Sequence, residues 1–484
     1  MYDLIVIGGG PAGVTAALRA RELGASVALI ERFRLGGTCT NDGCVPTRVL
    51  AKAARLLRDA DQYHSFGLEI PEPELDFKRL MSRVQQTVYT IHEKKQLIDH
   101  LEQSGVKLYS EVGPAHFTDP HAVELQDGTR LEAQKFILCA GGRARRLDFP
   151  GAEYAITHGD VWTMKDPPRS LVIVGGAATG CQVGSIFEAF GTKITILERA
   201  PRILGVEDEA ISSAIQSEFT RHGIEVITGI QNVEKIEKNG DMLELFYELD
   251  GQAHTAKSDT IMLSAGWIGN LSSLNLQSAN VETAGPYVKV NDYMQTSAEH
   301  IFAAGDITGR MMLVQSASYE ALAAVENALL GTGQLQTHKI VPHGGFTDPE
   351  YASVGLTENQ ASAVQDCIAV TVPYSDMDRA VIDDRTVGFC KLIASRENHR
   401  LLGAHVVGEQ ALEIVHVVAA GMASDMWVEQ LAEIEIAYPT FTTILGLAAR
   451  RIVNILGVRP LAKEWRSLEK PHAAEWERGA PSAD

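Results

Sequence analysis

Residues 3–31 read "DLIVIGGGPAGVTAALRARELGASVALIE", and this run leaves the chain few ways to begin folding. An apolar strand runs into a glycine turn, an alanine-rich helix follows, and a second apolar strand ends in Glu31. Gly8, Gly10 and Gly13 have the G-x-G-x-x-G spacing. Each glycine has its own task there, namely a tight turn, close backbone approach to a pyrophosphate, and close helix–strand packing. The phosphates lie at the helix N-terminus, and an acid about twenty residues on accepts from a ribose hydroxyl. The pattern returns at residues 170–198, "SLVIVGGAATGCQVGSIFEAFGTKITILE", with Gly175, Ala177, Gly180 and a terminal Glu198. Two such units predict two dinucleotide sites in an α/β chain.

At 484 residues the chain exceeds what one core holds, since single cores stop growing near about 250–300 residues. Its net charge of −19 argues against a nucleic-acid partner or a membrane surface, and no apolar run reaches the roughly 18 residues of a bilayer span. The first strand starts within a few residues of Met1, so a cytoplasmic protein is expected. In a reducing compartment, closely spaced cysteines point to redox or metal chemistry rather than to a staple. Of the 6 cysteines, Cys39 and Cys44 fall in "GGTCTNDGC" just after the first unit. Cys139, Cys181, Cys367 and Cys390 stand among apolar neighbours and read as buried structural thiols.

A helical region at roughly 47–105 follows the pair, then short strands and "FILCAGGRARRLDFPG". A third glycine-bearing segment, "IFAAGDITG", comes at 301–309. From about residue 340 the texture changes, opening on "VPHGGFTDPEYASVGLTENQA" with no nucleotide fingerprint.

Together these features resemble the class I flavoprotein disulfide reductases, the family of dihydrolipoyl dehydrogenase, glutathione reductase and mercuric reductase. The resemblance runs in order from residue 1 to about 460. It implies two Rossmann-like dinucleotide-binding domains plus a C-terminal α+β dimerisation domain. The FAD-binding domain would take residues 1–150 and 275–340, the NAD(P)-binding domain 151–274, the interface domain of a homodimer 341–465, and a polar tail 466–484. FAD would be bound through Gly8, Gly10, Gly13, Glu31, Gly37 and Thr38. Asp306 would hold the ribityl or pyrophosphate region, with Ala115 near the adenine and Val314 near the isoalloxazine. NAD(P)H would be bound through Gly175, Gly180 and Glu198, with Gln182 and Gly266 also among the cofactor-binding positions. Glu198 favours NADH, because a carboxylate repels a 2′-phosphate, although Arg199 and Arg202 follow it closely. No resident metal is implied.

By the same resemblance Cys39 exchanges with substrate and Cys44 faces the flavin. Exchange proceeds through a thiolate, so the site must lower a thiol pKa from about 8.5. The helical run after Pro46 offers its N-terminus, and Arg48 a fixed positive charge.

The departures from the family pattern cluster on the donor and substrate sides. Pro46-Thr47-Arg48 replaces Pro-Ser-Lys, Gln182 stands for that lysine's glutamate partner, Ala177 for a glycine, and Ala178 for a bulky nicotinamide gate. In "LSAGWIGN", Trp267 and Gly269 replace arginine and proline. In "AYPTFTTI", Tyr438 and Thr443 replace the histidine and glutamate that move protons on and off substrate thiols. A tyrosine with a pKa near about 10 is a poor base at neutral pH. Tyr438 either orients a ligand or packs at the interface. Mercuric reductases also lack that histidine, yet they carry C-terminal delivery thiols, and no cysteine follows Cys390 here.

The expectation is an FAD-dependent oxidoreductase passing electrons between a pyridine nucleotide, FAD and the Cys39–Cys44 pair to a small-molecule or small-protein disulfide, a thiol or another soft acceptor. Mercuric-reductase-like metal reduction is one alternative. A flavoprotein with a different electron partner, or a redox sensor with little turnover, is the other.

Overall fold

The computed structural model describes residues 1–457, so the expected polar tail and the end of the expected interface domain lie outside the described residues. Two compact units divide the chain. The first comprises residues 1–53, 75–167 and 262–338, the second residues 54–74, 168–261 and those from 339 onward.

The first unit is built on a parallel sheet whose centre is β1 (Tyr2–Ile7), flanked by β2 (Val27–Glu31) and the strand Arg130–Leu138. Leu4 pairs with Val27 and Ile7 with Leu138, while Lys107–Ser110 extends the sheet beyond β2 and Ile301–Ala303 pairs with Arg130–Leu138. Two antiparallel strands, His116–Asp119 and Ala122–Glu124, complete it. Strands buried on both faces read as continuous apolar runs, which is why "LIVI" and "VALI" do not alternate. α1 (Pro11–Glu22) turns Ala12, Ala16, Ala17 and Ala20 into the core, where they share one cluster with Ala321, Ala324 and Ala328 of the helix Val314–Leu330. Small side chains on both helices permit that close packing.

What aims α1 is the turn before it. Gly8 has φ +109°, and a Cβ on Gly13 would stand 1.7 Å from the Gly8 carbonyl oxygen. No residue with a side chain can bring helix and strand so close.

The second unit repeats the device. Its sheet runs Glu225–Thr228, Lys193–Glu198, Ser170–Val174, Thr260–Leu263, with the helix Ala178–Ala189 between the two central strands. A Cβ on Gly180 would meet the Gly175 oxygen at 1.9 Å. A meander of Asn232–Asn239, Met242–Leu249 and Gln252–Ser258 follows. From residue 343 an antiparallel sheet of five strands runs His343–Gly345, Tyr351–Gly355, Leu401–Val407, Phe389–Ser395, Cys367–Pro373. The helices Ala411–Ala423 and Thr443–Leu456 contribute Ile414, Val415, Val418, Ile444, Leu445, Ala448 and Ile452 to its core. Cys139, Cys181 and Cys390 are buried as expected, whereas Cys367 at the start of its edge strand is only half-buried, with its sulfur 3.4 Å from the Ser362 hydroxyl. No helix among the described residues is long and apolar enough to cross a membrane.

Gly13→Ala forces helix and strand apart and is expected to cost at least about 2 kcal/mol of stability, read as a lower urea midpoint. Ala177→Gly is expected to move stability by no more than about 1 kcal/mol. Equal midpoints for Gly13→Ala and wild type would contradict this account of the turn.

Candidate active site

The first nucleotide turn is organised around Glu31. Its two carboxylate oxygens accept from the Gly9 N–H (2.6 Å) and the Phe33 N–H (2.7 Å), which fixes the acid at the end of β2. Gly10 precedes α1, and no side chain caps the helix, so its first N–H groups face the turn. Gly37 closes the cradle opposite, where a Cβ would lie 2.9 Å from the Gly10 Cα. Thr38 follows in the short helix α2 (Gly37–Asn41). The Asn41 amide donates to the Leu35 and Gly37 carbonyls and is itself held by His92 at 2.8 Å. Ala115 is buried in the cluster holding Ile5, Ile7 and Ile30, and Val314 is the exposed first residue of its helix. This is a cradle of bare backbone beside a fixed acid, and a dinucleotide such as FAD fits it.

Cys39 lies within α2, half-buried, and exposed Cys44 is the first residue of α3 (Cys44–Asp59). Each thiol acts on the other, and they are shifted in opposite directions. The Cys44 thiol is lowered to about 7, first by its interaction with Cys39 and then by its own backbone N–H, against burial and the charge of Asp306. Cys39 is pushed up by the same interaction, by burial and by the Cys44 charge, with Lys95 opposing. Thr47 donates its hydroxyl to the Gly43 carbonyl at 2.7 Å, which ties down the start of α3, and Arg48 is exposed one residue on.

Asp306 sits beside this pair, with its own pKa raised by burial and countered by a bond from Trp267. The Trp267 indole N–H donates to Asp306 Oδ2 at 2.9 Å. The Trp267 carbonyl accepts from the Tyr287 hydroxyl at 2.6 Å, and the indole lies 5.1 Å from the His158 ring. Gly266, just before it, has φ +107° and its carbonyl accepts from the Arg145 N–H. The loop carrying Asp306 is anchored by fully buried Glu320, which accepts from the Gly305 N–H at 2.7 Å and from His338 at 2.7 Å. Trp162 donates to the Asp42 carbonyl between the two cysteines at 2.7 Å. The sequence marks Trp267 only as a departure from a pattern, and it marks Glu320 and Trp162 not at all. Their partners stand 15 to 120 positions away, beyond any local spacing.

The second turn matches the first bond for bond. Glu198 accepts from the Gly176 N–H (2.6 Å) and the Ala200 N–H (2.7 Å). Ala177 has φ −79° and ψ −175°, against −75° and −173° for Gly10. A negative φ suits any side chain, so Ala177 is unstrained, and it is exposed together with Ala178. The expected damage to this fingerprint is therefore limited to one methyl group. Gln182 donates to the Ala178 carbonyl at 2.9 Å and accepts from the Phe346 N–H at 3.1 Å. The Arg202 guanidinium is committed to the carbonyls of Leu204, Gly205 and Glu207. In the same unit Tyr438 is exposed, and Thr443 opens its helix with its hydroxyl 3.4 Å from that of Thr440.

Comparison with known proteins agrees with this geometry. The family described as pyridine nucleotide-disulphide oxidoreductase matches residues 2–321, and its dimerisation domain matches residues 341–449. A mercuric reductase of Lysinibacillus sphaericus is 32% identical over 454 residues, covering 93% of this chain and 82% of the relative. A dihydrolipoyl dehydrogenase of Bacillus subtilis (strain 168) is 30% identical over 466 residues, covering 93% and 97%. The solved structure of the HOCl-induced flavoprotein disulfide reductase RclA from Escherichia coli superposes with a TM-score of 0.83 at 26% identity, covering 93% of this chain and 99% of that one. The chain belongs to the pyridine nucleotide-disulphide oxidoreductase family. It is an FAD-dependent oxidoreductase that uses a pyridine nucleotide, and it carries the dimerisation domain of a homodimer.

In the reduced protein, alkylation of Cys44 by iodoacetamide, followed by peptide mass spectrometry, is expected to rise with pH around a midpoint near about 7. Asp306→Asn removes a charge that opposes the thiolate and lowers that midpoint. A midpoint at the free-thiol value of about 8.5 would contradict the coupling of the two thiols.

Proposed function

We propose that the protein reduces a small disulfide, or another soft acceptor of similar size, with electrons from NADH delivered through Cys39 and Cys44, and that it does so in the cytoplasm. The observation that carries this reading is the placement of the two thiols, Cys39 within α2 and Cys44 at the start of α3, directly after the glycine cradle closed by Gly37. Gly8, Gly10, Gly13, Glu31, Gly37, Thr38 and Asp306 would hold FAD, and Gly175, Gly180 and Glu198 the nicotinamide nucleotide. FAD, when bound, supplies hydride acceptance from the nicotinamide and return of an electron pair to the disulfide.

The residues of this chain then account for the protons. Reducing the Cys39–Cys44 disulfide with two electrons and one proton gives one thiol and one thiolate. The remaining proton rests on Cys39, and its transfer to Cys44 frees Cys39 to attack a substrate sulfur. The first substrate thiolate leaves as the mixed disulfide forms. Cys44 returns its proton to solvent or to that thiolate and attacks Cys39, releasing the second thiolate and closing the disulfide. A pair that holds its own proton needs no outside base when the leaving thiolate is stable, which suits a chain with Tyr438 where relatives have histidine.

NADH is favoured over NADPH because Glu198 keeps a fixed carboxylate where a 2′-phosphate would come, while Arg202 is spent on backbone carbonyls. The domain borders set out from the sequence belong to this proposal, as does completion of each active site by the C-terminal segment of the partner. The identity to mercuric reductases, together with an exposed tyrosine at position 438, favours metal-ion reduction as a second reading.

Steady-state oxidation of NADH and NADPH, with a panel of disulfides and with mercuric ion, tests these readings. Disulfide-dependent NADH oxidation at least about 10-fold above that with NADPH is expected, and Cys39→Ser should lower it at least about 100-fold. Turnover with mercuric ion alone would favour the second reading, and no turnover with either nucleotide would overturn both. Tyr438→His is expected to raise dihydrolipoamide oxidation near pH 7 by about 10-fold, within the usual range of general base catalysis. An unchanged rate would mean that the missing base is not limiting.

A further inference from the structure

Tyr438 is 72% exposed, yet its side chain is held. The hydroxyl donates to Asp378 Oδ2 at 2.5 Å, across sixty residues of chain. The segment around it is held as firmly. Arg379, next to Asp378, places its guanidinium 5.6 Å from the ring centre of buried Phe441 and donates to the Pro439 carbonyl at 3.5 Å. Thr440 donates to the Ala437 carbonyl at 2.7 Å. The neighbouring carboxylates are matched by cations, Asp383 by Arg379 at 2.7 Å and Asp376 by Arg451 at 2.6 Å. Asp378 instead puts an oxygen on a phenol.

A surface tyrosine gains little stability from an exposed hydrogen bond, so the clamp is better explained by the direction it imposes than by folding energy. With its proton turned toward Asp378, the phenol offers the outside only lone pairs, backed by a negative charge. Such a group accepts hydrogen bonds and favours positive charge, but it neither donates to nor takes a proton from an incoming sulfur.

We propose that Asp378 is the positioning residue of Tyr438, holding the phenol oxygen toward the substrate as an acceptor, and that the pair thereby selects cationic small disulfides over anionic ones. The proposal rests on the functional reading above, in which Tyr438 reaches the substrate at the partner's dithiol. The same bond to Asp378 raises the Tyr438 pKa above its usual value, which gives a readout independent of turnover.

Two measurements test it on the FAD-loaded dimer. The first is the pH titration of near-ultraviolet phenolate absorbance, taken as the difference between wild type and Tyr438→Phe. The expected midpoint lies above about 10, and Asp378→Asn brings it down to about 10. The second compares cystamine, a cationic disulfide, with 3,3′-dithiodipropionate, an anionic one. The expected preference for cystamine in kcat/KM is about 5-fold, as for one charge a few ångströms away in water. Asp378→Asn should bring the ratio near parity mainly through KM, and Asp378→Glu should restore it. An unchanged phenolate midpoint in Asp378→Asn would overturn the pairing. A ratio that does not respond to Asp378→Asn, or that changes through kcat alone, would overturn the selective role. If wild type reduces neither disulfide, the functional reading fails, while the titration still decides the pairing.

Discussion

Everything in this molecule hangs on how closely a helix can approach the turn that feeds it. At Gly13 and again at Gly180 a single added carbon would strike a backbone oxygen at less than 2 Å. That contact aims the uncapped helix end at the space where a phosphate would bind by the proposed function, and it brings Glu31 and Glu198 back onto the turn at the same sequence separation of 22. The proposed redox pair depends on the first of these turns. α2 and α3 follow directly from it, and α3 begins on Cys44, so the helix end and the neighbouring thiol together stabilise one thiolate.

Beside that thiolate the chain sets a half-buried carboxylate, Asp306, which works against it. A neutral indole donates to this acid and offsets in part the burial that raises its pKa. The Cys44 value of about 7 sets the interaction with Cys39, the largest influence, and the Cys44 backbone N–H against burial and, least, the Asp306 charge. A thiol balanced there is nucleophilic at neutral pH without being trapped as a poor nucleophile of very low pKa.

Both nucleotide folds were legible in the sequence because their signals are local. Glycine spacing, apolar strands and a terminal acid lie within about thirty residues of one another, and the same holds for the cysteine pair. Ala177 was misleading in degree, since the sequence shows a lost glycine but not that the backbone there keeps a negative φ that alanine accepts. The contacts that refine the site were illegible for the opposite reason. Trp267 with Asp306, Glu320 with Gly305, and Asp378 with Tyr438 are joined by the fold, and no periodicity links a tyrosine to an aspartate sixty positions earlier. Gln182 could be read as altered, but its bond to the Phe346 amide could not.

By the proposed function, electrons from the nucleotide arrive on Cys39 and Cys44. Anaerobic addition of one equivalent of NADH per subunit to the FAD-loaded protein, followed by alkylation and mass analysis of the peptides bearing both cysteines, tests it directly. Two alkyl groups per subunit are expected, one on each of these residues, and none without NADH. Alkylation that does not depend on NADH, or oxidation of NADH that leaves both cysteines unmodified, would contradict it.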